Sequence, residues 1–182
     1  MLPAMKVKTV VTALDGSDHA NKALDFAADL AEKYGARLIL LNVLSDKPMS
    51  ADERHLAAVE YHSDVLDKFD TGALMDVRGD PRAIAGMLVQ QYDDAARQVH
   101  QIIGHRLVEE ARVRVRGRGV EDIETMVEEG DPATRILATA KNKDADLIVL
   151  GSRGLSDLEG LLMGSVSHKV SQMAECTCIT VK

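Results

Sequence analysis

The chain has 182 residues, which suits one domain or one domain carrying an insertion. Apolar residues make up 46%, which excludes a disordered chain; aromatics are 3% with no Trp, so the core must be built from Val, Leu, Ile, Ala and Met. A net charge of −7 argues against nucleic acid and anionic membrane as partners, and no stretch reaches the ~18 apolar residues that a membrane helix needs.

Lys8 to Leu14 is a short, β-branched apolar run that reads as a buried parallel strand. It ends in Asp15-Gly16-Ser17-Asp18, where Ser17 or Asp18 can cap a helix. Ala20, Ala23, Leu24, Ala27, Leu30, Ala31 and Tyr34 then follow helical spacing, and Gly35 is a natural C-cap. Arg37 to Val43 is a second buried strand, so the first third of the chain is a right-handed βαβ unit.

Residues 45 to about 119 are largely helical by pattern. Leu56, Val59, Val65, Leu66 and Phe69 suggest one helix, Ile84, Met87, Leu88 and Gln91 another, and Ile102 to Val115 a third that serves as the second crossover. A crossover needs one helix, so residues from about 46 to 95 read as a helical insertion after strand 2. Gly79-Asp80-Pro81 before Ile84 echoes Gly130-Asp131-Pro132 before Ile136; both are read as good helix starts.

The alternation then resumes. Asp122 to Glu128 is a strand, Asp131 caps a helix with Pro132 at its first position, and Leu147 to Leu150 is the most apolar strand of the chain. Ser165 to Ala174 is a last helix with Val166, Val170 and Met173 inward, and Cys178 to Val181 a short final strand. Five strands alternating with helices imply an α/β fold with a doubly wound parallel sheet.

The loop between the fourth strand and the last helix carries the strongest chemical signal. Gly151-Ser152-Arg153-Gly154 is followed, after nine intervening residues, by Gly164-Ser165 at a helix start. Glycines let the backbone approach an anion, successive N–H groups form a nest, and the helix N-terminus adds partial positive charge. Ser165 and Ser167 offer hydroxyls and Arg153 a mobile cation. There is no G-x-x-x-x-G-K-[ST], no G-x-G-x-x-G after the first strand, and no metal-ligand spacing among the histidines. If the first and fourth strands are neighbours at the point where strand order reverses, Asp15 and Gly151 face one crevice.

With Val10-Val11-Thr12-Ala13-Leu14-Asp15-Gly16-Ser17, Glu129-Gly130-Asp131-Pro132-Ala133, Asp146 to Gly154 and Gly164-Ser165-Val166-Ser167, the chain resembles the universal stress proteins, and its glycine spacing is similar to that of their ATP-binding branch. The resemblance covers roughly residues 6 to 45 and 107 to 182. It implies a five-stranded sheet of order 3-2-1-4-5 with helices on both faces, and a homodimer that often pairs through the last strand. It implies Asp15 and the backbone of Val43 at adenine and ribose. It places Gly151, Ser152, Arg153, Gly154, Gly164, Ser165, Val166 and Ser167 around the phosphates of ATP, with Mg²⁺ or Mn²⁺ accompanying the nucleotide. The family often ends its last helix with Cys-Pro, whereas Cys176-Thr177-Cys178 stands here.

The expected function is a regulatory ATP-binding protein whose state an unidentified protein partner reads, with slow or no hydrolysis because no general base is evident. The competing readings are a weak ATPase, an autokinase or a nucleotide-α-phosphate hydrolase, a nucleotide-independent interaction protein, and a binder of AMP or cyclic AMP. Met1 to Lys8 lacks an apolar signal core and Cys176 and Cys178 are too close for a good structural disulfide, so the cytoplasm is the expected compartment. Arg112, Arg114, Arg116 and Arg118 read as a solvated helix end balanced by Glu109, Glu110 and Glu121 rather than as a nucleic-acid surface. His168 reads as a surface helix residue and the two cysteines as small buried apolar groups.

Overall fold

The computed structural model describes residues 6–44, 81–155 and 163–182, with the backbone alone for residues 81–96, 98 and 99. In chain order the elements are β1 (Thr9–Ala13), α1 (Asp18–Tyr34), β2 (Arg37–Leu44), α2 (Pro81–Arg116), β3 (Ile123–Glu129), α3 (Pro132–Asn142), β4 (Leu147–Gly151), α4 (Ser165–Met173) and β5 (Thr177–Val181). The strands form one sheet of order β3-β2-β1-β4-β5, every pairing parallel, as the sequence predicts.

The strands carry near-continuous apolar runs because both faces of the sheet are covered. Val10 pairs with Leu38 on one side and Leu147 on the other, and all three join the cluster beneath α1 and α2. Val11 pairs with Ile39 and Ile148, and these belong to the cluster beneath α3 and α4. Six side chains from two adjacent register positions thus line both layers of the core. α1 faces the sheet with Ala20, Ala23, Ala27, Ala28 and Ala31, so its backbone lies close to the strands and Leu24 fills the remaining space. Burying each leucine or valine contributes about 1.5–3 kcal/mol relative to exposure.

Local chemistry sets the helix ends. Ser17 caps α1 and accepts from the Ala20 N–H, and Gly35 closes the helix in the left-handed region at φ 58°. Asp131 caps α3, accepting from the Thr134 N–H at 3.0 Å, and Lys169 of α4 reaches the same carboxylate at 2.9 Å.

Several sequence expectations change. The segments 84–91 and 102–115, read as separate helices, are parts of the single 36-residue α2, about 54 Å long. No proline lies between Pro81 and Arg116, and the two interior glycines, Gly86 and Gly104, each cost a helix only about 1 kcal/mol, which packing offsets. The expected helix at Leu56 to Phe69 lies outside the described residues, as does most of the 46–95 insertion. Met173, read as inward, and Tyr34, placed on the helical pattern, are exposed, each being the last residue of its helix. Cys176 and Cys178 are half-buried rather than buried, since β5 is an edge strand. Arg114 and Arg118 pair with Asp25 and Asp29 of α1 rather than with the glutamates near them in sequence. Arg112 does find Glu109, at 3.6 Å.

The hydroxyl of Thr134, then Lys169, hold the Asp131 carboxyl down at about 2. A folded value below the unfolded one means that the carboxylate stabilises the fold above pH ~4 and ceases to as pH falls through about 2. Asp131→Ala is therefore expected to lower the unfolding free energy by about 1 kcal/mol at pH 7 in urea titrations. The gap between variant and parent should narrow steadily from pH 4 to pH 2 (an undiminished gap at pH 2 counts against this account).

Candidate functional site

In this sheet the strand order reverses at β1. The chain leaves β1 for β2 on one edge, and β4 lies on the other, with Thr12 level with Val149. The carboxyl ends of β1 and β4 therefore lie side by side, and α1 and α4 both begin at this end of the sheet. In open parallel sheets this is where ligands bind, because the two chains leave in opposite directions and open a crevice.

Asp15 stands on the β1 side. Its Oδ1 accepts from the Ser17 N–H at 2.9 Å, and its Oδ2 accepts from the Leu155 N–H at 3.3 Å across the switch point. A methyl group at Gly154 would lie 2.5 Å from that same Oδ2, so the glycine turn packs directly on the carboxylate. Ser17, missed as a site residue by its sequence reading as a cap alone, also touches the second loop: its hydroxyl lies 3.5 Å from the Arg153 carbonyl oxygen.

The β4 side is ordered by its backbone. A Cβ at Gly151 would fall 2.7 Å from the Ala20 nitrogen and the His19 carbonyl carbon, so the first turn of α1 can approach β4 only over a residue without a side chain. Ser152 is 1% exposed; its N–H donates to Val181 and its carbonyl accepts from the Gly164 N–H at 2.7 Å and the Ser167 hydroxyl at 2.9 Å. These two bonds hold the start of the glycine loop against the start of α4. The Ser152 hydroxyl is buried and has no hydrogen-bond partner among the described residues.

At the other end of the loop, Gly164 is the N-cap of α4 and supplies no side-chain hydrogen bond. The first-turn N–H groups of α4 therefore lack a capping oxygen from that position, and the helix start is suited to an anion. Ser165 is exposed and Val166 half-buried, whereas Ser167 is buried with its hydroxyl directed to the Ser152 and Gly164 carbonyls. The Arg153 side chain is half-buried at the turn. Val43 lies two residues beyond Leu41, the last β2 residue paired with β1, at the same end of the sheet. Among the described residues no three His, Cys, Asp or Glu side chains form a metal cluster, and no helix is long and apolar enough to cross a membrane. Two further residues shape this end of the sheet: Asn42, whose amide donates to the Leu14 carbonyl at 2.7 Å, and Gly104 of α2, which lies against it. A polar residue in the apolar alternation of β2 was the available sequence signal for Asn42.

The model of the universal stress protein family matches residues 6–182. Universal stress protein YxiE of Bacillus subtilis is 32% identical over 173 residues, covering 95% of this chain and 97% of its own. Among solved structures, a universal stress protein in complex with cAMP superposes with a TM-score of 0.61 at 24% identity, covering 98% of this chain and 99% of its own. The universal stress protein of Archaeoglobus fulgidus in complex with dAMP gives 0.55 at 20% identity, covering 98% and 100%.

The Gly151 contact makes a direct test of how the crevice is built. Gly151→Ala forces a methyl into backbone atoms that cannot move aside, so overpacking should cost about 1–3 kcal/mol. Urea denaturation is expected to show that loss, and a variant as stable as the parent would remove close packing of α1 on β4 from the description.

Proposed function

Because the chain belongs to the universal stress protein family, we propose that it is a regulatory protein that binds an adenine nucleotide, with ATP as the ligand, at the β1–β4 switch point. The observation that supports this most is the pairing of an acceptor and an anion cradle across one crevice. Asp15 stands on one side, and on the other are the Gly151–Gly154 turn, the buried Ser152 hydroxyl and the start of α4. Asp15 would accept from base or ribose and the Val43 backbone would flank them. The Arg153 N–H would face phosphate oxygens from the β4 side, and those of Ser165 and Val166 from the α4 side, while Gly151, Ser152, Gly154 and Gly164 would shape the cradle, the Ser152 and Gly164 N–H groups being engaged within it. Ser167 would act by holding the two loop ends together, since its hydroxyl is engaged there. Mg²⁺ or Mn²⁺ would arrive with the phosphates. The proposed form is a homodimer in the cytoplasm, a single domain over residues 1–182.

Both Asp15 oxygens accept from backbone N–H groups, a placement for recognition rather than for activating water, so turnover is expected to be slow or absent. The complexes with cAMP and dAMP formed by proteins of similar fold favour a second reading, in which a nucleoside monophosphate is the ligand.

Mass spectrometry of small molecules released from protein purified without added nucleotide decides between them, followed by calorimetry with ATP and with cAMP, each with and without Mg²⁺. The expected result is co-purifying ATP, and a Gly164→Asp variant that binds at least tenfold more weakly because a carboxylate occupies the helix start. Preferential binding of cAMP would replace ATP as ligand. No binding of either would make the loop a structural connection.

A further inference from the structure

Asn42 breaks the pattern of its strand. Leu38 and Leu40 lie on the α1–α2 face of the sheet and are fully buried, and Asn42 continues that face at 6% exposure. Its Nδ2 donates to the Leu14 carbonyl at 2.7 Å, while its Oδ1 has no hydrogen-bond partner among the described residues. Such a half-satisfied buried amide is costly where a leucine would pack without penalty. The bond it does make is to the residue immediately before Asp15, one step beyond the last β1–β2 register pair, Ala13 with Leu41.

The amide is also covered from outside. At Gly104 of α2, a Cβ would lie 2.5 Å from Asn42 Oδ1, 2.9 Å from Leu44 Cδ2 and 3.3 Å from Val127 Cγ1. The α2 backbone therefore rests on the carboxamide through the one residue type that permits it. Ile103 and Val108 on either side of this contact are buried, so α2 is seated there rather than passing over it.

We propose that Asn42 is a positioning residue that fixes the Leu14–Asp15 corner, and that the Gly104 turn of α2 holds Asn42 in place, so that α2 sets the aim of the Asp15 carboxylate. The functional half of this rests on the nucleotide reading above; the structural half does not. Asn42 touches no part of the proposed ligand and acts through the Leu14 carbonyl alone. A displacement of α2 would release the carboxamide, then the corner, then the Asp15 oxygens that Ser17 and Leu155 now engage.

Hydrogen exchange followed by NMR, on protein free of nucleotide, tests the structural half. The Ser17 amide reports on Asp15 because it donates to its Oδ1. In Asn42→Leu this amide is expected to exchange at least tenfold faster while the Val10 and Val11 amides keep their rates; Asn42→Ser, too short to reach Leu14, should do the same. Gly104→Ala should also speed Ser17 exchange, since the added methyl displaces the carboxamide. Ser17 exchange within twofold of the parent in both Asn42 variants would overturn the proposal. ATP titrations of the same proteins test the other half: Asn42→Leu should bind about tenfold more weakly, and this loss should vanish in an Asp15→Ala background. Faster exchange with unchanged affinity would also overturn the positioning role. A parent protein that binds no nucleotide would sink the proposed function and leave the exchange result to decide the corner.

Discussion

The arrangement rests on β1 having a parallel neighbour on each edge. A strand so placed must be apolar on both faces, and Val10 and Val11 are both fully buried. The same placement brings the ends of β1 and β4 together with their chains departing in opposite directions. Core and crevice are two results of one constraint. Residues that build the core end at position 14, and Asp15 follows as soon as the strand leaves the sheet.

Around the crevice, most order comes from the backbone. Carbonyls of Ser152, Gly164 and Arg153 take bonds or close contacts from side chains and N–H groups that tie the two loops to each other. Three glycines matter there for the same steric reason, each standing where a side chain would strike α1, Asp15 or Asn42. A site made this way leaves few reactive side chains to recognise, which agrees better with binding than with catalysis. In the proposed role, preorganised N–H groups would cost nothing further on meeting an anion, and the Ser152 hydroxyl, without a partner among the described residues, would gain one.

The alternation of strands and helices was legible in the sequence because both periodicities are strong and the punctuation is explicit. Ser17 before α1, Gly35 after it, and Asp131-Pro132 before α3 all act as read. The glycine pattern from Gly151 to Gly164 was legible for the same reason, since its spacing is local, and the structure sets this loop against Asp15 and Ser17. What escaped was tertiary. Nothing within the run Arg112 to Arg118 indicates that its partners are Asp25 and Asp29, nearly 90 positions away on α1. Gly104 carries no local sign of its role, because its necessity arises from Asn42 on a different element. The exposure of Met173 and Tyr34 shows the limit of helical spacing, which marks a face but not where along the helix the sheet ends beneath it.

The bond between the Lys8 N–H and the Asp146 carboxylate joins residues 138 positions apart, and β1 takes its second neighbour from the same distant stretch. Chains are made from the amino end at about 5–20 residues per second. For several seconds of synthesis, then, β1 has β2 on one edge and nothing on the other, and the Asp15 corner has no opposite wall. The crevice is among the last features a nascent molecule acquires. A fragment ending before β4 would leave that edge of β1 unpaired, the kind of edge that folded proteins keep covered.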